Sequence, residues 1–252
     1  MSAELSGRTA LVTGATDGIG AAIARHLAAQ GAQVVVSGRD AARGNAVVAE
    51  IVTTGGAASF VAADLSEGMA TIAGLAQAAQ DVAGGALDIL VNNAAMLIAP
   101  GPTESLPERV VDRALSINVK SMFLLTGAVA PGMVARGSGA IVNLGSLNGF
   151  GGSAHMALYS ATKAAVHALT RSWANEYGPA GVRVNAVAPG PTATAKVVAM
   201  ADHIAPMIAR VPSRRMSTPE EVADAVAFLV GDGAASIHGV TLSVDGGLAA
   251  SL

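Results

Sequence analysis

The 252-residue chain contains no cysteine, which excludes disulfides, thiolate zinc sites and cysteine nucleophiles together. It has only three lysines, a formal net charge of −3 and no basic block, so a groove for nucleic acid is not expected. Mean hydropathy is high at +0.51, yet no unbroken apolar run approaches the ~20 residues of a membrane span. Met1–Arg8 lacks the basic start and apolar core of a signal peptide. The expectation is a soluble, cytoplasmic protein with no membrane partner. The five histidines (His26, His155, His167, His203 and His238) show no metal-ligand spacing, so no metal is assigned.

Hydrophobic residues make up 52% of the sequence and glycine 30 positions. By the mass scaling of folded and unfolded surfaces, a chain of 24.7 kDa keeps about 10,000 Å² exposed and buries roughly 70% of its unfolded surface. Seven short apolar runs read as strands: 9–13, 33–37, 58–62, 87–91, 140–144, 182–187 and 240–244. Their continuous apolar character suits strands buried on both faces, as in a parallel sheet. Helix-patterned segments lie between them near 18–30, 41–54, 68–83, 106–130, 157–177 and 219–230. The alternation predicts an α/β fold, a Rossmann-like doubly wound seven-stranded parallel sheet with helices on both faces. No repeat, charge run or linker marks a second domain, so 1–252 reads as one.

The first strand runs into Thr13-Gly14-Ala15-Thr16-Asp17-Gly18-Ile19-Gly20 and then an Ala-rich helix. Glycines at a strand-to-helix turn let the backbone approach a pyrophosphate, and the helix start offers free N–H groups to it. The second strand ends at Ser37-Gly38-Arg39. A carboxylate there would accept hydrogen bonds from the adenosine ribose hydroxyls and favour NAD(H). Gly38 takes that place, and Arg39 is suited to a 2′-phosphate, which favours NADP(H). Arg39 stacked on adenine, and an acidic Asp17 in the phosphate loop, leave NAD(H) open.

Tyr159 and Lys163 are four residues apart in a helical segment, about 400° of rotation, and so share a face. Bringing a tyrosine from about 10 to about 7 takes roughly 4 kcal/mol. An ammonium about 4 Å away, at an effective dielectric near 20, supplies that much. The pair therefore reads as a proton donor and acceptor, with Ser146 at the carboxyl end of the fifth strand, where open α/β sheets bind ligands.

The ordered set Thr-Gly-x-x-x-Gly-x-Gly, Asn92-Asn93-Ala94, Ser146, Tyr159-x-x-x-Lys163 and Pro189-Gly190 resembles the short-chain dehydrogenase/reductase family, in its single-domain branch, over residues 6–248. The resemblance implies that Tyr159 is the acid/base and that Lys163 lowers its pKa and binds the nicotinamide ribose. It implies that Ser146 holds the substrate oxygen and that Asn118 holds a water serving Lys163. Cofactor contacts are implied for Gly14, Thr16, Asp17, Gly18, Ile19, Gly20, Arg39, Asp64, Leu65, Asn93, Ala94, Pro189, Gly190, Thr192 and Thr194. Ala95 departs from the family's usual glycine after Asn-Asn-Ala.

The expected function is an NAD(P)(H)-dependent oxidoreductase interconverting a ketone and a secondary alcohol. The alternatives are a 3-oxoacyl-thioester reductase and a non-catalytic NAD(P)-binding sensor. The turn Gly178-Pro179-Ala180-Gly181 carries no basic residue for docking a carrier protein, which leans towards a free small-molecule substrate. Segment 192–212 is expected to be a lid over an apolar pocket, with Met96, Leu97, Leu147 and Phe150 opposite, and Lys196 and Arg210 as candidates for an anionic tail. His155 reads as a loop histidine or a substrate contact. Two apolar stripes on segments 106–130 and 157–177 predict a dimer face, and Val240–Leu252 the second face of a homotetramer.

Overall fold

A computed structural model describes residues 4–251 of the chain. Seven strands form one sheet: β1 (Thr9–Thr13), β2 (Gln33–Gly38), β3 (Ala57–Ala62), β4 (Ile89–Asn92), β5 (Gly139–Leu144), β6 (Val182–Pro189) and β7 (Thr241–Val244). All pairings are parallel in the order β3-β2-β1-β4-β5-β6-β7. The order reverses between β1 and β4, and a crevice for ligands opens at that switch point, beyond the carboxyl ends of the strands.

Alternation along each strand divides the interior into two cores. Ala10, Val12, Val34, Val36, Ile89 and Val91 face one way and pack against Ile23, Leu27, Val222 and Val226. These last belong to α1 (Gly18–Ala29) and α9 (Pro219–Val230). Leu11, Val35, Leu90 and Ile141 face the other way, against Ile72, Leu125, Val129, Val166 and Trp173. Those come from α3 (Met69–Ala83), α5 (Ser121–Arg136) and α6 (Ala157–Tyr177). Period-two apolar strands buried on both sides thus produce a three-layer sandwich. The exposed surface of 11070 Å² is near the value that the mass predicts.

The predicted strands recur within one or two residues, with physical reasons for the differences. The fourth begins at Ile89, two residues late, because the Asp88 carboxylate accepts the Thr9 amide at 2.7 Å where the ladder would continue. The helix predicted over 106–130 is three pieces: α4 (Glu108–Leu115), a π turn over Ser116–Lys120, and α5. The last ends at Gly137, whose φ of 71° gives a left-handed cap. By length and composition the run Glu108–Arg136 could cross a membrane, but 44% of its apolar window is buried, and Met122, Leu125, Val129, Ala130 and Met133 belong to the second core. The remaining α-helices among the described residues are α2 (Ala41–Thr53) and two short ones, α7 (Ala195–Val198) and α8 (Ala201–Ile208), which divide the segment expected to be a lid.

Candidate active site

At the end of β1 the chain turns into α1 through glycines that no other residue could replace. A Cβ on Gly14 would stand 2.8 Å from the Ala94 Cα, and Gly14 itself has φ +62°. A Cβ on Gly20 would land on the Gly14 carbonyl oxygen and the Asn93 amide nitrogen. The Asn93 Nδ2 donates to the Thr13 and Gly14 carbonyls at 2.9 and 3.0 Å, tying the turn to the end of β4. Asp17 caps α1, its carboxylate accepting from the Gly18 amide at 2.7 Å. The amides of Ile19 and Gly20 have no partner among the described residues. A dinucleotide's pyrophosphate fits this cradle, because side-chain atoms are excluded from it and free N–H groups point into it.

The turn forms one wall of a cleft of about 560 Å³, which also takes in Arg39, Asp64, Asn93, Ala94, Met96 and Thr194. Its adenosine end carries more charge than the motifs alone suggest. Arg39 lies 3.8 Å from Asp64, while Arg43 pairs with Asp40 at 2.8 Å and with Asp17 at 3.6 Å. Burial works to raise the Asp64 carboxyl, but hydrogen bonds from Ser66 and the charge of Arg39 hold it below its ordinary value. Gly38 has a steric reason: a Cβ there would come within 2.6 Å of the Thr16 methyl. Arg43 and Arg113 also line the cleft, and the sequence reading missed both. Arg43's signal was its place three residues after Asp40, the N-cap of α2.

The predicted catalytic residues come together at the carboxyl end of β5. Ser146 opens a short 3₁₀ turn, where its Oγ accepts from the Asn148 amide at 3.2 Å. Tyr159 is half-buried one turn into α6. Lys163, fully enclosed, donates from Nζ to the Leu144 carbonyl at 2.7 Å and lies 5.8 Å from the centre of the Tyr159 ring. The expected depression of the tyrosine is not found in this arrangement. Burial pushes the Tyr159 phenol above its usual value and a hydrogen bond with Ser146 pulls it back. Burial instead acts on the lysine, lowering Lys163 to about 8. The physical reason is burial: desolvation disfavours the charged form of each group, and so raises the phenol and lowers the ammonium.

Asn118 sits in the π turn, a geometry common at functional sites. Its Oδ1 accepts from the Met96 amide at 2.6 Å, and its Nδ2 donates to the Met96 carbonyl at 3.1 Å and to Thr162 Oγ1 at 3.2 Å. Thr162 in turn donates to the Tyr159 carbonyl at 2.8 Å. The side chain therefore clamps the cleft wall to the catalytic helix and has no donor left for a water.

Asn118, Ser146, Tyr159, Lys163, Pro189, Gly190 and Thr192 stand outside the cleft lining, unlike Thr194. A Cβ on Gly190 would lie 2.8 Å from the Asp245 Cα, and the buried Thr192 hydroxyl donates to the Gly190 carbonyl at 3.1 Å. Val211, at the far end of the lid segment, is buried against Leu147 beside Ser146 and against Leu248. His155 is exposed, with φ 63° and its carbonyl accepting from the Gly101 amide at 2.9 Å. Among the described residues no cluster of acidic and histidine side chains could hold a metal ion.

Comparison with known proteins agrees with this geometry. A family model described as enoyl-(acyl carrier protein) reductase matches residues 14–249. The cis-4-hydroxycyclohexanecarboxylate dehydrogenase of Sinomonas cyclohexanicum is 43% identical over 245 residues, covering 96% of this chain and 97% of its own. The cyclohexanol dehydrogenase of an Acinetobacter strain is 37% identical over 246 residues, covering 98% and 96%. A solved structure assigned as an NAD(P)-dependent gluconate 5-dehydrogenase from Beutenbergia cavernae, with NADP at low occupancy, superposes with a TM-score of 0.92. It is 39% identical and covers 99% of this chain and all of its own. The chain belongs to the short-chain dehydrogenase/reductase family, the NAD(P)-dependent oxidoreductases that interconvert alcohols and ketones.

Proposed function

We propose that this protein is a cytoplasmic, NADP(H)-preferring dehydrogenase that interconverts a cyclic secondary alcohol and its ketone. The observation that carries the reading is the convergence of Ser146, Tyr159 and Lys163 beside a cleft built for a dinucleotide. A bound nicotinamide supplies or accepts the hydride at the carbonyl carbon. Ser146 hydrogen-bonds the substrate oxygen, and Tyr159 gives that oxygen a proton in reduction and removes one in oxidation, so full charge never accumulates there. Lys163 holds a positive charge under the phenol and offers its remaining N–H groups to the nicotinamide ribose. The sensor alternative has no use for this set, every member of which is present.

Preference for NADP(H) rests on two guanidinium groups, Arg39 and Arg43, at the adenosine end, with no carboxylate at position 38. The ring-shaped substrate rests on two relatives that act on hydroxylated cyclohexanes and on exposed apolar side chains: Leu97, Phe150, Val198 and Met200 are 64, 48, 50 and 50% exposed. Lys196 lines the dinucleotide cleft together with Leu97 and provides a counter-ion for a carboxylate on the ring. The acyl-carrier-protein substrate in the family model's description finds no basic docking residue in the 178–181 turn. Assembly as a homotetramer rests on Leu115 and Phe123, 44 and 52% exposed beside α6, and on Phe228 and Val240 at 49 and 38% on the second face.

The test follows NADPH absorbance with cyclohexanone, 4-oxocyclohexanecarboxylate, an acyclic methyl ketone and a 3-oxoacyl thioester, with Tyr159→Phe beside each. Turnover of the cyclic ketones that disappears in the variant, with NADPH binding retained, is the expected result. Equal turnover in Tyr159→Phe, or turnover of the thioester alone, overturns the proposal.

A further inference from the structure

His167 is a buried titratable side chain that the reaction above does not use. It lies on α6 four residues beyond Lys163, and therefore on the same face one turn further along. Where Lys163 reaches the last carbonyl of β5, His167 meets the loop that follows. A Cβ on Gly145 would be 2.8 Å from its Cδ2, and a Cβ on Gly149 would be 2.7 Å from its Nδ1. The two glycines flank Ser146 and the 3₁₀ turn that it opens. Phe150 closes the loop, its ring centre 4.7 Å from the imidazole. The ring is 2% exposed; it hydrogen-bonds the Gly149 backbone, while its Nε2 has no hydrogen-bond partner among the described residues.

A half-satisfied imidazole in the interior costs free energy that a leucine of similar bulk would not. What the imidazole offers in return is a thin, flat, rigid surface on which backbone without side chains can rest. Gly145 is fixed from the other side, its amide donating to the Val187 carbonyl at 2.8 Å, and the Gly149 amide closes the turn on the Ser146 carbonyl at 2.9 Å. The loop is thus pinched between β6 and one aromatic plane. We propose that His167 is a positioning residue that sets the height of Ser146 against Tyr159. The inference rests on the assignment of those two residues to the reaction. The ring acts as an uncharged spacer: burial, then the charges of Lys163 and Arg171, lower its pKa to about 4.

The experiment measures kcat and KM for a cyclic ketone with NADPH in wild type, Ser146→Ala, His167→Ala and the double variant, with NADPH Kd alongside. His167→Ala is expected to lower kcat about 10- to 100-fold, the scale of a displacement of about an ångström in a reacting group, with NADPH Kd unchanged within twofold. In the Ser146→Ala background the same substitution is expected to add no loss. A loss that multiplies through both backgrounds, or a parallel loss of NADPH binding, shows a merely structural side chain and overturns the proposal. If Ser146→Ala alone leaves kcat intact, the serine's role is what has failed, and the inference goes with it. Should His167→Ala not fold, His167→Gln, closer in volume, enters the same cycle. Gly149→Ala gives a reciprocal readout. It should impair turnover in wild type and be relieved when His167 is alanine, and equal impairment in both backgrounds overturns the contact.

Discussion

Removing Arg39 or Arg43 should weaken cofactor binding in two different ways. The Arg39 guanidinium is 62% exposed and stands 3.8 Å from Asp64, an ion pair worth only about 0–1 kcal/mol. A 2′-phosphate can therefore draw it away at small cost, and a hydrogen bond to a charged group contributes about 1.5–3 kcal/mol. Given the exposure the lower figure applies, so Arg39→Ala should weaken NADPH about tenfold and leave NADH unchanged. Arg43 has a second duty. It stands 3.6 Å from Asp17, whose carboxylate caps α1 where the pyrophosphate of either cofactor would lie. Arg43→Ala leaves that carboxylate unpaired, so NADH should weaken about two- to fivefold, the scale of one exposed charge pair, and NADPH by more. Asp17→Asn in the Arg43→Ala background should restore the NADH loss and leave the extra NADPH loss in place. Fluorescence titration of both cofactors at fixed ionic strength reads all three variants against wild type. Equal weakening of NADH and NADPH by Arg39→Ala would refute the phosphate role, and no recovery from Asp17→Asn would refute the electrostatic one.

The pH profile separates the lysine from the tyrosine. Burial lowers Lys163 to about 8 and raises Tyr159, so ketone reduction, which needs both groups protonated, should fall as pH rises through about 8. That limb belongs to Lys163 and should move to higher pH in Lys163→Arg; a flat profile to pH 10 would refute it. The proposed homotetramer predicts a particle of four subunits by light scattering at micromolar concentration. Phe123→Glu and Val240→Glu should split it along different faces, and a monomeric wild type would exclude the assembly.

What was legible in the sequence follows from how local each signal is. Buried parallel strands announce themselves because both faces are apolar: Thr9–Thr13 is buried throughout and was readable to the residue. The glycine turn was equally clear, because the collisions at Gly14 and Gly20 involve backbone and no other residue type satisfies them. Asn118 was placed in an unbroken helix because a π turn leaves no mark in apolar periodicity. Its clamp on Met96 depends on a chain segment 22 residues away. Arg43 was harder to read: Asp40 is only three residues away, but Asp17, the partner that ties it to the phosphate loop, is brought to it by the tertiary fold.

The catalytic end of the sheet is held by polar contacts inside the core, where an apolar interior would have been simpler. Asn92, the first residue of the Asn-Asn-Ala turn, donates from Nδ2 to Asn143 Oδ1 at 2.9 Å and to Thr126 at 3.1 Å, and Asn143 Nδ2 donates to Thr170 at 2.9 Å. These bonds join β4, β5, α5 and α6 directly beneath the loop carrying Ser146 and the helix carrying Tyr159. Hydrophobic contacts tolerate sliding by fractions of an ångström, whereas a closed chain of amide and hydroxyl bonds in a low dielectric accepts one arrangement and penalises the others. Asn118 repeats the device one layer closer to the cleft, and the imidazole of His167 supplies the flat stop on which the remaining loop rests. The proposed reaction needs Tyr159 held to a small tolerance from a substrate oxygen. The buried amides are the means by which a chain with few aromatic side chains and an Ala- and Gly-rich interior achieves that rigidity.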